Sequence, residues 1–291
     1  MIIVKLIGGL GNQMFQYAAG RSIAGRLGTV LKLDIENFDK EGVTIRNYGL
    51  KIFRIQENIA SFKDIAKTKI PPKGFLKYFP RAVKLLELLT GRSHIIETKK
   101  RIVLNKITDN SYLEGNWNSE KYFSGIGSIL RKEFTFKARP DDKNRAILKQ
   151  IQRCNSVSIH VRRGDYVTNS KVNKLYHICS LNYYLKATKI INKFAIKPVF
   201  FVFSDDPAWV KSNFSGIKPV FFVNHNTGEK SYEDMRLMSA CQHNIIANSS
   251  FSWWGAWLNH NPSKIVIAPK KWFKDDSKNV DDLVPLAWIR I

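Results

Sequence analysis

Apolar residues in this chain gather into short unbroken runs, most of them closed by glycine, asparagine, aspartate or serine. Residues 2–7 (IIVKLI) form the first run and read as a buried strand. The loop GGLGNQ follows, and MFQYAAGRSIAGRL continues at helical spacing to about Leu27. LKLDI is a second short strand. Strand, loop, helix and strand in that order predict a parallel α/β sheet. From Glu36 to about Asn110 the chain reads as irregular and basic, broken by Pro71-Pro72, and SYLEGNW at 111–117 reads as strand into loop.

A second and more regular alternation begins near residue 156. SVSIHV is a strand, RRGDY a loop and LNYYLKATKIINKF a helix. PVFFVFS is a strand, with DDPAWVKSNF as loop and helix after it. PVFFVN, NIIAN and KIVIAP are further strands, separated by the helices YEDMRLMSAC and SSFSWWGAWLN. Composition shifts at KARPDDKNRAILKQ (137–150), which sets the expected lobes at 1–145 and 146–291.

The chain has 291 residues, 44% of them hydrophobic and 12% aromatic, enough for two medium α/β lobes with proper cores. Its three cysteines (Cys154, Cys179, Cys241) have no CxxC spacing, which fits a reducing compartment and neither a disulfide framework nor a zinc site. The opening MIIVKLIGG lacks the pattern of a signal peptide, and no apolar run reaches the roughly 18–20 residues of a membrane span. The expectation is a soluble cytoplasmic protein, or one peripheral to the inner face of a membrane.

The formal net charge of +23 changes the picture. Nucleic acid, an anionic membrane and an anionic substrate would each suit it, as would a merely solubilising surface. The excess is dense in residues 63–106, where only Asp64, Glu87 and Glu97 oppose many lysines and arginines. Within 75–89, a helical wheel puts Phe75, Phe79, Ala82, Val83, Leu86 and Leu89 on one face and Lys77, Arg81 and Lys84 on the other. That pattern suits an anionic leaflet, and equally a surface helix packed on a core. Nucleic-acid binding finds no RNP motif, zinc-finger spacing or basic heptad to support it.

Four stretches carry chemistry. Gly8-Gly9-Leu10-Gly11-Asn12-Gln13, between strand and helix, is either a tight turn or an anion-binding helix start. His160-Val161-Arg162-Arg163-Gly164-Asp165-Tyr166 stands at a strand's carboxyl end, where open α/β sheets bind ligands. One arginine there is expected to pair with Asp165 and the other to hold an anion in its fork. Asp205 and Asp206 follow another strand. One is expected to cap the helix that opens at Pro207 and the other to accept from guanine or ribose. Asn248 to Trp257 begins a helix whose Ser249, Ser250 and Ser252 are expected to face a diphosphate, while Trp253 and Trp257, four apart, pack in the core. Six scattered histidines form no HxH or HExxH pattern, and no metal is expected.

Taken in order, GGLGNQMFQYA, LEGNWNSEKYF, HVRRGDY, FFVFSDDPAWVK, EDMRLMSACQHNIIANSSFSWWGAWLN and VIAPKKWF resemble family 11 of the glycosyltransferases, the galactoside α-1,2-fucosyltransferases. The resemblance is poorest from about 60 to 105. It implies a GT-B-type architecture of two Rossmann-like lobes with parallel sheets, the first on the acceptor side and the second binding the donor. It implies GDP-β-L-fucose as donor, a galactoside as acceptor, an α-1,2 linkage made with inversion, and neither metal nor other cofactor. By the same resemblance Arg162 holds the pyrophosphate beside His160, Asp205 or Asp206 the guanosine, and Ser249 to Ser252, with Phe251, the phosphates. Asn12 then lies near the reacting sugar as a catalytic candidate, and Gly9 and Gly11 of the same loop are donor-binding candidates. Inversion calls for a carboxylate base, for which Asp165, Asp34 and Glu114 are candidates. A same-fold transferase using another GDP-sugar is the main alternative.

Overall fold

The run Ile2–Lys5 forms β1, and its first three residues are fully buried because parallel strands are covered on both faces. The computed structural model describes residues 1–36, 38, 47–69, 89–97, 104–275 and 280–291. The chain divides into two compact units, Met1–Lys137 and Ala138–Ile291.

In the first unit β1 leads into α1 (Leu10–Leu27) and then β2 (Leu31–Asp34). After these come α2 (Phe62–Thr68), β3 (Ser93–Ile96), β4 (Ser111–Glu114) and α3 (Gly127–Glu133). The four strands pair in parallel in the order β2-β1-β4-β3, with Ile2 opposite both Leu31 and Ser111. The stretch expected to be irregular thus contributes a helix and a strand. A capping box explains α2: Ser61 accepts from the Asp64 amide while the Asp64 carboxylate accepts from the Ser61 amide. Most of the 75–89 segment, residues 75–88, lies outside the described residues.

The second unit opens with α4 (Asp142–Gln152), which packs on the helix Tyr232–Ala240 and runs through the expected boundary at 145/146. Then follow β5 (Ser156–Val161), the short helices α5 (Gly164–Thr168) and α6 (Ser170–Leu175), α7 (Leu181–Phe194), β6 (Val199–Ser204) and α8 (Pro207–Asn213). The remaining elements are β7 (Val220–Val223), α9 (Tyr232–Ala240), β8 (His243–Ile245), α10 (Ser250–Leu258), β9 (Val266–Ala268) and β10 (Ile289–Arg290). RRGDY is therefore only partly a loop, since Gly164 already begins a helix.

All six strands are parallel, in the order β10-β9-β8-β5-β6-β7. Connections run from β5 outward through β6 and β7, then return to β8 on the other side of β5. The order is that of a Rossmann sheet, and its switch point lies between β5 and β8. Val157, Ile159 and Val161 point from β5 into a core with Tyr184, Ala187 and Ile191 of α7. The alternate residues Ser156, Ser158 and His160 are buried on the opposite face. Trp253, Trp254 and Trp257 of α10 are buried, and Trp253 stacks on Trp257 with centroids 6.4 Å apart, as their spacing predicts.

Candidate active site

The carboxyl ends of β5, β6 and β8 bring the HVRRGDY, FSDD and ANSSF stretches to one edge of the second unit's sheet. Arg162 leaves β5 and bridges two carboxylates, with Nη2 at 2.6 Å from Asp165 Oδ1 and Nη1 at 2.7 Å from Asp205 Oδ2. Burial opposes its charge, but Asp205 and Asp165 outweigh burial and hold its pKa above the ordinary value. Guanidinium has five N–H donors in a rigid fork. The carboxylates engage separate nitrogens and fix the plane of the group, leaving donors for an anion at the switch point.

Arg163 is also committed. Its Nε donates to Asp206 Oδ2 at 3.0 Å and its guanidinium lies over the Trp209 ring at 4.2 Å. The arginine expected to pair with Asp165 is Arg162, and Arg163, the one left for an anion, also has a carboxylate brace, in Asp206. The aspartates divide as well. Asp206 caps α8, accepting from the Trp209 amide at 3.1 Å with Pro207 at the first helical position. Asp205 caps nothing; besides Arg162 it accepts from the Arg163 amide at 2.8 Å. Gly164 is required beside it, because a Cβ there would come 2.5 Å from Asp205 Oδ2.

His160, the last but one residue of β5, is 6% exposed, and its ring lies 5.7 Å from that of Phe251. Its Nδ1 is buried without a hydrogen-bond partner among the described residues. Burial pushes its pKa down to about 4, with Asp205 pulling it up and Arg162 down. The ring is therefore neutral at pH 7. This predicts an acid-labile fold. Between pH 6.5 and about 4 the unfolded chain binds a proton at this histidine that the folded chain refuses. The contribution is fully present above pH 6.5 and is lost as the pH falls, by up to about 3 kcal/mol. Urea midpoints from pH 7.5 to 4.5 should decline less steeply for His160→Gln than for the parent. Parallel declines would show that His160 titrates normally.

On the β8 side, Ser249 caps α10 by accepting from the Phe251 amide at 3.3 Å, and Ser249, Ser250 and Phe251 are partly exposed. Ser252 departs from expectation. It is 1% exposed and donates back to the Ser249 carbonyl at 3.3 Å, so it turns into the core. Asn248 ties the edge together, donating to the carbonyls of His177 (2.6 Å) and Trp272 (2.8 Å), while the Tyr166 hydroxyl donates to the Asn248 carbonyl at 3.0 Å.

A further group at this edge escaped the sequence reading. Asp234 lies in the first turn of α9, and burial raises its pKa to about 7, against the lowering effect of Asn226. Asn226 Nδ2 donates to Asp234 Oδ1 at 2.8 Å, and the amides of Asn226 and Asn144 bond reciprocally at 2.8 Å in both directions. EDMRLM pointed to this stretch, but two adjacent acids gave no means of separating Glu233, paired with Arg236, from Asp234.

In the first unit the glycine loop rests on two buried glutamines. Gln13 Nε2 donates to the carbonyls of Gly8 (2.8 Å) and Asn47 (2.9 Å), and Gln16 Oε1 accepts from the Ile7 amide at 3.0 Å. Gly8, with φ +75°, carries the turn, Gly9 precedes α1, and Gly11 is buried inside its first turn. The Asn12 amide donates to the Gly9 carbonyl at 2.9 Å. The candidate bases are engaged elsewhere: Asp34 accepts from the Tyr112 hydroxyl, and Glu114 pairs with Lys5 at 2.6 Å and His94 at 3.1 Å. Burial raises the Glu114 pKa, but these two partners overcome it and leave the group below its usual range. Asp165 is held by Arg162. Among the described residues, no group of three or more His, Cys, Asp or Glu side chains is placed to hold a metal ion.

Two parallel α/β units, one carrying braced arginines at a Rossmann switch point, are the parts of a GT-B-like fold. The profile described as "Glycosyl transferase family 11" matches residues 89–291. An α-1,2-colitosyltransferase of Escherichia coli is 36% identical over all of this chain and 99% of its own length. The O-antigen biosynthesis glycosyltransferase WbnK of E. coli is 33% identical over 98% and 99% of the two chains. The crystal structure of NodZ α-1,6-fucosyltransferase, a Bradyrhizobium protein, superposes with a TM-score of 0.51 at 17% identity over 88% of this chain and 91% of that one. The chain belongs to glycosyltransferase family 11.

Proposed function

We propose that the protein is an inverting fucosyltransferase. It moves L-fucose from GDP-β-L-fucose to the 2-hydroxyl of a terminal galactoside during cell-surface glycan synthesis, at the cytoplasmic side of a membrane that holds a lipid-linked acceptor. The second unit takes the donor and the first the acceptor. The observation that carries this reading is Arg162, held charged and planar at the β5/β8 switch point by Asp165 and Asp205. As the sugar–phosphate bond breaks, negative charge grows on the leaving diphosphate while the sugar becomes oxocarbenium-like. A preorganised guanidinium and the amides opening α10 stabilise that charge where it develops. Neutral His160 adds a ring nitrogen for a donor hydrogen bond. Asp205 and Asp206 are bound to arginines, so Asp234 is the better carboxyl to meet the paired N–H groups of guanine.

The chemistry needs no divalent cation in this reading, and activity is expected to survive excess EDTA. Loss of turnover that Mn²⁺ or Mg²⁺ restores would overturn that. The 36% identity to a colitosyltransferase favours colitose as the rival sugar. NMR of products made from GDP-fucose and from GDP-colitose with a panel of β-galactosides tests both. An α-1,2-fucosyl product formed faster supports the proposal, and a faster colitosyl transfer replaces it.

A further inference from the structure

The second unit confines its acidic side chains to one edge of its sheet. From Ala138 to Lys270 every acidic side chain stands at the edge where strands end: at the start of α4, after β5, after β6, and in 229–234. The opposite edge, where strands begin, holds none among the described residues. It carries Lys149 and Arg153 at the end of α4, Lys193 and Lys197 about the end of α7, and Lys218 before β7, all exposed. On the α7–β6 turn, between those two lysines, Phe194 and Ile196 stand in water, 66% and 81% exposed.

These turns form one surface. Asn155 Nδ2 donates to the Ile196 carbonyl at 3.1 Å, the Val199 amide to the Asn155 carbonyl at 2.9 Å, and the Phe200 amide to the Pro219 carbonyl at 3.0 Å. Helix dipoles account for lysines in a last helical turn, such as Lys149 and Lys193. The same holds for Arg153, the C-cap of α4, but not for Lys197 and Lys218, which lie outside helices, nor for two large apolar side chains set in water among the charges.

We propose that this amino edge of the second unit's sheet docks on an anionic lipid bilayer, with Phe194 and Ile196 entering the headgroup region and the basic side chains meeting lipid phosphates. A soluble polyanion would satisfy the lysines but leave the two apolar side chains wet, and no row of exposed aromatics is present here for base stacking. Docking at this edge leaves the donor edge, about 20 Å away along six-residue strands at about 3.3 Å per residue, open to water and to a soluble sugar nucleotide. The surface is distinct from segment 75–89 and does not depend on which sugar is transferred.

The test is flotation of the full chain with phosphatidylglycerol-containing and pure phosphatidylcholine vesicles at low salt. Three proteins are compared: the parent, Phe194→Ser with Ile196→Ser, and Lys193→Glu with Lys197→Glu. The parent should float with anionic vesicles only. Each double variant should lose at least tenfold in partition coefficient while keeping the parent's melting temperature and its turnover on a soluble acceptor. A parent indifferent to anionic lipid overturns the proposal, as do variants that float like the parent. It is also overturned if heparin competes for the protein and the apolar variant binds as the parent does, which would identify a polyanion surface instead.

Discussion

Arg162→Ala is expected to lower kcat by about 10²–10³-fold, with a smaller rise in KM for the GDP-sugar. The guanidinium stabilises charge that appears only as the diphosphate leaves, so its loss falls mainly on the transition state. Stability should drop too, by about 1–3 kcal/mol, because Asp165 and Asp205 lose the cation between them. The two effects separate with Arg162→Lys. An ammonium restores charge near the carboxylates but cannot bridge both and still present a planar fork to phosphate. Melting temperature should therefore recover more than turnover does. Single-turnover rates and melting curves on the same preparations decide it. Near-normal turnover per folded molecule in the alanine variant would reduce Arg162 to a loop strut and remove the second unit's claim to the donor.

The second large effect separates neighbouring aspartates. Asp205→Asn should cost turnover, by about tenfold to a hundredfold, because it loosens the Nη1 side of Arg162, and misplacing a catalytic group by about 1 Å can cost on the order of 10². Asp206→Ala should cost stability instead: it removes the α8 cap, worth about 1 kcal/mol, and the partner of Arg163. Its kcat should stay close to the parent's. Equal, purely stability-linked losses in both variants would make the pair mere helix-start chemistry. Loss of turnover in Asp206→Ala alone would reverse the assignment.

Much of the second unit is legible in the sequence. Its strands are buried on both faces, so they appear as unbroken apolar runs, and LNYYLKATKIINKF coincides with α7. HVRRGDY could be put at a strand end because an apolar run stops where charge begins. The boundary was less legible: KARPDDKNRAILKQ looks like a linker by composition, yet Asp141 caps α4 and the helix turns few residues inward. β3 (SHII) was missed because three half-buried residues and the exposed Ile96, set between basic stretches, give no periodic signal.

Within the candidate site, the sequence by itself determined that HVRRGDY, FSDD and ANSSF stand at the carboxyl edge, because strand, loop and helix order follow from local patterning. Only the tertiary structure decided who holds whom. Asp205 and Asp206 are adjacent and chemically identical, and both stood as candidates to cap or to bind. The packing of β5 against β6 turns one to Arg162 and the other to Arg163. Ser252 looked like its neighbours until the α10 register turned it inward, and Asp234 became distinctive only when Asn226, from a loop eight residues earlier, and burial reached it. Pair distances and desolvation depend on groups far apart in the chain. Local pattern carries no record of them, and these are the quantities that set charge, pKa and the direction in which a side chain points.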